Sequence, residues 1–272
     1  MRRAFEPIDM FDSYMKVAGV PSLDFARAED PRLQGKKLGL VNGASWISLW
    51  CNYFGRMALP GVKLVNAGNE GVQLSFMGAH KRGEPCPPQI NIERFVQYAE
   101  DLVALCGVDA IMITCSTMNR AYGTVREAMK RHGVPVIQID EAMMERAVTH
   151  GGRILIVATH GPTVESTRAL LQETAARLGR TVSFAGATVE EAFRLLGEGD
   201  VRGHNRVIAD AIRKAASREQ IDIVVLAQLS MTVFKLSYAD EACRREFGLP
   251  VITSGETGFE RAREVLIGLS GG

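Results

Sequence analysis

Cys115 closes an apolar run, Ala110-Ile-Met-Ile-Thr114, and Ser116, Thr117 and Asn119 follow it directly. A thiol at the polar end of a strand, ahead of a helix N-terminus, lies in the positive field of the helix dipole. That field is expected to lower its pKa and raise its thiolate fraction. Such a sulfur can accept a proton, donate one or attack carbon. Three more loops have the same make-up: Asn42-Gly-Ala-Ser45, Thr159-His-Gly-Pro-Thr163 and Gln228-Leu-Ser-Met-Thr232. Hydroxyl and amide side chains at the point where a helix begins cap it and leave backbone N–H groups free to hold an anion. Capping alone explains many single hydroxyls, but four loops repeating the pattern in register point to a shared site. His160 adds a side chain able to carry a charge or donate a proton. Cys106, in the apolar phase of the preceding helix, and Cys51, between Trp50 and Tyr53, read instead as buried, inert sulfur.

The elements that must position these loops come in two copies. Gly133-Val-Pro-Val-Ile, Glu141 and Glu145-Arg-Ala return 115 positions later as Gly248-Leu-Pro-Val-Ile, Glu256 and Glu260-Arg-Ala. Val108-Asp-Ala-Ile-Met-Ile-Thr-Cys115 returns as Ile221-Asp-Ile-Val-Val-Leu-Ala-Gln228, and Leu38-Gly-Leu-Val-Asn42 as Ile154-Leu-Ile-Val-Ala158, at nearly the same offset. Near-constant offsets in chain order are what an internal duplication leaves. The copies disagree at the chemical position, where Cys115 stands against Gln228. Residues 37–42, 62–66, 110–114 and 134–138 read as buried parallel strands, and 92–104 and 163–178 as amphipathic helices. This rhythm predicts an α/β fold of two doubly wound parallel-sheet domains with right-handed crossovers. The expected boundaries are an N-terminal arm over 1–35, a first domain over 36–139 plus 251–272, and a second over 140–250. A short helix is expected within 10–17. Residues 77–91, with His80, Lys81, Arg82 and three prolines, read as a long polar connection that lies over a site as a lid.

Composition removes several classes of function. With 272 residues, 46% hydrophobic and 23% charged, the chain is long enough to bury substantial cores without staples. A formal net charge of +1 offers no global field for nucleic acid or an anionic membrane. No apolar run approaches the length of a membrane span and no apolar leader follows Met1-Arg-Arg, so the expected location is cytoplasmic. Five scattered cysteines without CxxC spacing predict reduced thiols and no structural zinc. GxxxxGK[ST], strand-borne GxGxxG and HExxH motifs are missing, and Gly43-Ala-Ser-Trp46 lacks the closing glycine of a nucleophile elbow.

Ile113-Thr-Cys115-Ser-Thr-Met-Asn119, Val157-Ala-Thr159-His-Gly-Pro-Thr163-Val-Glu-Ser166 and Val224-Val-Leu-Ala-Gln228-Leu-Ser-Met231, in this order, resemble the aspartate/glutamate/hydantoin racemase superfamily over residues 36–270. The resemblance implies two pseudo-twofold-related α/β domains with the site in the cleft between them, acting without cofactor or metal. It implies a homo-oligomer with a small carboxylate substrate. In the racemases one cysteine from each half faces the substrate, one removing the α-proton and the other returning a proton to the opposite face. Cys115 matches the first cysteine, and Gln228 stands where the second belongs. An amide does not titrate in water, so Gln228 can only hydrogen bond to a carboxylate or a developing oxyanion. The resemblance assigns substrate anchoring to Asn42, Ser45, Ser116, Thr117, Asn119, Thr159, Thr163 and Ser230, with His160 beside them.

Three functions follow from a single retained thiol. One is a cofactor-independent isomerase or racemase of a small carboxylic acid or cyclic imide, with Cys115 as acid, base or nucleophile. A second is a lyase resembling arylmalonate decarboxylase, in which Cys115 alone protonates the carbanion. A third is a non-catalytic paralogue that binds small carboxylates.

Overall fold

A computed structural model describes residues 7–18 and 28–270. The remainder of the expected N-terminal arm, 1–6 and 19–27, lies outside the described residues. The chain divides into two compact units. Unit 1 comprises residues 1–114, 121–137 and 262–272, and unit 2 comprises 115–120 and 138–261.

Unit 1 is built from α1 (Pro7–Ala18), β1 (Lys37–Asn42), α2 (Ile47–Ala58), β2 (Lys63–Gly68), α3 (Glu70–Lys81), α4 (Gln89–Cys106), β3 (Ala110–Ile113), α5 (Tyr122–Met129) and β4 (Val136–Gln138). Its parallel sheet runs β2-β1-β3-β4, with Leu38 opposite Ala110 and Val41 opposite Ile113. Unit 2 follows with α6 (Glu141–His150), β5 (Gly152–Ala158), α7 (Gly161–Arg177), β6 (Val182–Thr188), α8 (Glu190–Gly197), α9 (Val201–Ala216), β7 (Ile223–Leu226), α10 (Asp240–Phe247), β8 (Val251–Thr253) and α11 (Ser254–Gly268), whose last turns belong to unit 1. Its sheet runs β6-β5-β7-β8, the same order reached a second time. Two four-stranded parallel sheets flanked by helices make the α/β architecture that the alternation in the sequence predicts.

Period-two burial explains the near-continuous apolar strands. Along β5, Leu155 and Val157 face the cluster with Ile208 and Ile212 of α9 and Phe234. Ile154, Ile156 and Ala158 face the opposite one, with Met143 and Ala147 of α6 and Leu171 of α7. Each fully buried aliphatic side chain contributes about 1.5–3 kcal/mol relative to exposure.

The duplication also repeats polar detail. Asp109 Oδ2 accepts the Lys37 backbone N–H at 2.7 Å and Asp222 Oδ2 accepts that of Arg153 at 2.6 Å, so each copy pins the start of its first strand with the same carboxylate. Gly133 and Gly248 both take left-handed φ values, 65° and 67°, which a side chain disfavours.

Three sequence expectations change. The connection over 77–91 shortens to residues 82–88: α3, capped by Asn69 Oδ1 on the Gly71 N–H at 2.8 Å, carries His80 and Lys81 in its last turn, and α4 starts at Gln89. Second, β8 bonds to β7, so residues 251–261 go with unit 2 and the chain passes back within α11, not ahead of β8. Third, Cys106 is only half-buried, because α4 ends there, whereas Cys51 is fully enclosed as expected. The short N-terminal helix forms as α1 and lies against α2. Among the described residues no helix is long and apolar enough to cross a membrane.

Candidate active site

Both strands that carry the diverged pair end in the same local structure. After β3, Thr114 and Cys115 lead into a 3-10 segment, Ser116–Ala121, and the Met118 N–H bonds back to the Cys115 carbonyl at 2.9 Å. After β7, Ala227 and Gln228 lead into the 3-10 segment Leu229–Leu236, and the Met231 N–H bonds to the Gln228 carbonyl at 2.9 Å. Cys115 and Gln228 therefore occupy equivalent positions in their copies. Neither strand end opens directly into the α-helix that the dipole argument assumed.

Cys115 is partly exposed, and its Sγ lies 3.2 Å from the Thr117 hydroxyl. Its thiol pKa is raised, contrary to the expected lowering. Burial is the largest cause. The Thr117 hydroxyl and the Met118 and Thr117 backbone N–H groups pull the other way, and the negative charge of Asp140 adds a further upward push. One 3-10 turn offers those donors, and they do not offset desolvation.

Asp140 is the residue that the sequence reading missed. It ends the segment after β4 and begins α6, where an acidic residue has an ordinary reading as a helix N-terminal group. Only 1% of it is exposed. Its Oδ1 accepts a hydrogen bond from Ser116 Oγ at 3.0 Å, and burial pushes its carboxyl up to about 7 against the pull of the Ser116 and Ser254 hydroxyls. The Ser254 hydroxyl favours the carboxylate through space, yet neither Ser254 Oγ nor Asp140 Oδ2 completes a hydrogen bond among the described residues. The available signal was the repeat itself, which sets Asp140 against a glycine, Gly255, inside otherwise matching segments.

The other loops are partly committed to structure. Gln228 Oε1 accepts the Thr159 N–H at 2.7 Å and the Thr159 hydroxyl at 2.8 Å, which ties the ends of β5 and β7 together. Its Nε2 donors have no hydrogen-bond partner among the described residues. Thr163, in the first turn of α7, buries an Oγ1 without a partner, and its N–H bonds to the His160 carbonyl at 3.1 Å. The His160 ring meets Phe193 edge-on, 4.7 Å between centroids. Asn119 and Ser230 are buried within their 3-10 segments. All of these residues, with Cys115, Ser116, Thr117 and Asp140, belong to unit 2.

Asn42 and Ser45 belong to unit 1 and make separate arrangements. Asn42 is buried and sits in a side-chain network: its Oδ1 accepts from the Thr114 hydroxyl and, at 3.3 Å, from Cys51 Sγ, while its Nδ2 donates to Asn66 Oδ1 at 2.9 Å. Asn66 passes the chain on to Asn52 at 3.1 Å. This network fixes the end of β1 and Thr114, the residue before the thiol, and engages the Asn42 Oδ1 and one of the two Nδ2 hydrogens. The Ser45 hydroxyl donates to the exposed Glu70 carboxylate, as does its backbone N–H at 3.1 Å.

Within unit 2, Cys115 and Thr117, and Ser116 with the Asp140 carboxyl, share one turn after β3, while the Gln228 amide and the Thr163 hydroxyl stand at the ends of β7 and β5. Among the described residues no cluster of three or more His, Cys, Asp or Glu is disposed to bind a metal ion.

The Asp/Glu/hydantoin racemase family model matches residues 89–262. Solved structures with the same fold include glutamate racemase RacE1 from Bacillus anthracis, 15% identical over 86% of this chain and 82% of that one, with a TM-score of 0.60. Allantoin racemase from Klebsiella pneumoniae is 18% identical over 86% and 89%, with a TM-score of 0.57. A variant of arylmalonate decarboxylase in a sulfate-associated form is 17% identical over 85% and 93%, with a TM-score of 0.53. At such identities the likeness is one of fold. No curated protein matches the chain significantly.

Proposed function

Because this chain belongs to the Asp/Glu/hydantoin racemase family, we propose that it is a cofactor-independent isomerase or racemase of a small carboxylic acid or cyclic imide, with Cys115 as its acid/base group or nucleophile. The observation that carries this reading is the placement of Cys115: a partly exposed thiol at a strand end, beside the Thr117 hydroxyl and one residue before Ser116, which hydrogen bonds the buried Asp140 carboxyl. In its thiolate form Cys115 takes the proton from the carbon next to a carboxyl or imide carbonyl, and the electron pair left behind spreads onto that oxygen. The free Nε2 of Gln228 is suited to donate to the oxygen as its charge grows. Donors already in place when charge develops stabilise it without reorganisation. Return of a proton to carbon completes the cycle, on the opposite face for racemisation. Ser116, Thr117, Asn119, Thr159, His160, Thr163 and Ser230 supply the remaining polar contacts, and Asn42 and Ser45 act by holding loop structure.

The raised thiol pKa favours a second reading, a decarboxylase. There, loss of carbon dioxide leaves the electron pair on carbon, the Cys115 S–H protonates it, and water restores the thiol. A thiol that stays protonated at neutral pH suits this step better than proton abstraction.

A panel of small dicarboxylates, hydantoins and substituted malonates, turned over by wild type and by Cys115→Ala, tests the proposal. It expects turnover of at least one class by wild type and a loss of about 10²-fold or more in the variant. In deuterated water a racemase labels recovered substrate, and a decarboxylase labels only product. Equal turnover by both proteins overturns the role of the thiol, and tight binding without turnover by either returns the non-catalytic paralogue.

A further inference from the structure

A separate cavity lies in unit 2, where α6 packs against α7 at the end of β4. Its volume is about 260 Å³, which suits a small molecule and not a peptide or a nucleotide. Glu141 and Met144 line it from α6, and Leu170, Glu173 and Arg177 line it from one face of α7. Gln138, the last residue of β4, completes the wall. Two of these side chains are uncommitted. Gln138 is 8% exposed, and its Nε2 has no hydrogen-bond partner among the described residues, although a buried donor without an acceptor is costly. The partly exposed Glu141 carboxylate makes no hydrogen bond or ion pair among the described residues. Their neighbours are engaged: Arg177 donates to Glu145 at 2.9 Å, and Glu173 accepts from Arg120 at 3.1 Å in an exposed pair that another cation can join. An acid in the first turn of α6 has an ordinary role at the helix N-terminus. That role supplies no acceptor to Gln138.

We propose that this cavity binds a small molecule in which a primary ammonium stands next to an oxygen acceptor, the chemistry shared by amino acids and amino alcohols. The ammonium meets the carboxylates of Glu141 and Glu173, and the oxygen accepts from Gln138 Nε2. Met144 and Leu170 receive the apolar substituent. Each group that the fold leaves unpaired then has the partner it lacks. Binding involves no covalent step and does not depend on the role of Cys115.

Saturation-transfer NMR on the full chain tests the proposal with a matched set of ligands: alanine, alaninol, isopropylamine and propanoate. Alanine or alaninol is expected to bind, the tighter of the two identifying the oxygen as carboxylate or hydroxyl. Isopropylamine and propanoate, each lacking one of the two groups, are expected to bind at least about tenfold more weakly. Glu141→Gln removes the charge and Gln138→Met removes the donor at similar volume, and each should weaken the bound ligand about tenfold. No binding of alanine or alaninol at about 10 mM, isopropylamine as tight as either, or affinity unchanged in both variants overturns the proposal. Binding abolished by Cys115→Ala and kept by Glu141→Gln also overturns it, because the ligand then sits at the candidate active site. If Gln138→Met does not fold, Glu141→Gln decides alone, since that side chain holds no partner in the fold.

Discussion

At the scale of single residues, chemistry and stability meet at Asp140 and Gln228. The folded pKa of Asp140, about 7, lies above its ordinary value of 3.8. Its neutral form therefore contributes stability that is complete below about pH 4 and is lost as pH rises through 7. Asp140→Asn is expected to stabilise the protein at pH 8 by about 2–4 kcal/mol, an advantage that shrinks towards pH 4; urea unfolding at both pH values checks it. Gln228→Ala leaves the Thr159 N–H and hydroxyl without their acceptor. It should cost about 1–3 kcal/mol, whereas Gln228→Glu keeps the acceptor and exchanges the amide donors for a carboxylate. If those donors serve the reaction, both variants lose turnover but only Ala loses the stability. The strand-end position of Cys115 was legible in the sequence. Asp140 was not, because one acid at a helix start has an ordinary explanation and its burial depends on α11, more than 110 residues away in sequence.

Secondary-structure elements bring these residues together by close approach. In α11, Gly258 lies so near β4's continuation that an added Cβ would stand 2.5 Å from Ile139 Cγ1 and 2.7 Å from its carbonyl oxygen. Gly258→Ala must displace the backbone immediately before Asp140, with an expected cost of about 1–3 kcal/mol in denaturant unfolding. Gly248→Ala, in the left-handed turn after α10 with open space around it, should cost only about 1 kcal/mol in the same unfolding measurement. Strands were the most legible elements: parallel strands buried on both faces leave continuous apolar runs, and the repeat located them twice. The end of α3 was hidden because His80, Lys81 and the prolines beyond it read as loop, although the prolines begin only at 85, after the helix has closed. Thiol electrostatics were misjudged for a related reason. Sequence spacing shows that a helix follows a strand, but not that a 3-10 turn intervenes or how far the sulfur is desolvated.

For the whole molecule, duplication supplied two copies of one sheet order and then let their matching positions diverge, thiol in one and amide in the other. The near-zero net charge places substrate attraction in local donors and not in a long-range field, so turnover should change little between low and moderate salt. The proposed function places the proton chemistry on one sulfur, that of Cys115. Its most direct measurement is deuterium incorporation at the carbon next to the carboxyl, followed by NMR in deuterated water with a substrate found in the panel. Wild type is expected to incorporate deuterium and Cys115→Ala none above the enzyme-free rate; undiminished incorporation by the variant would mean that another group moves the proton.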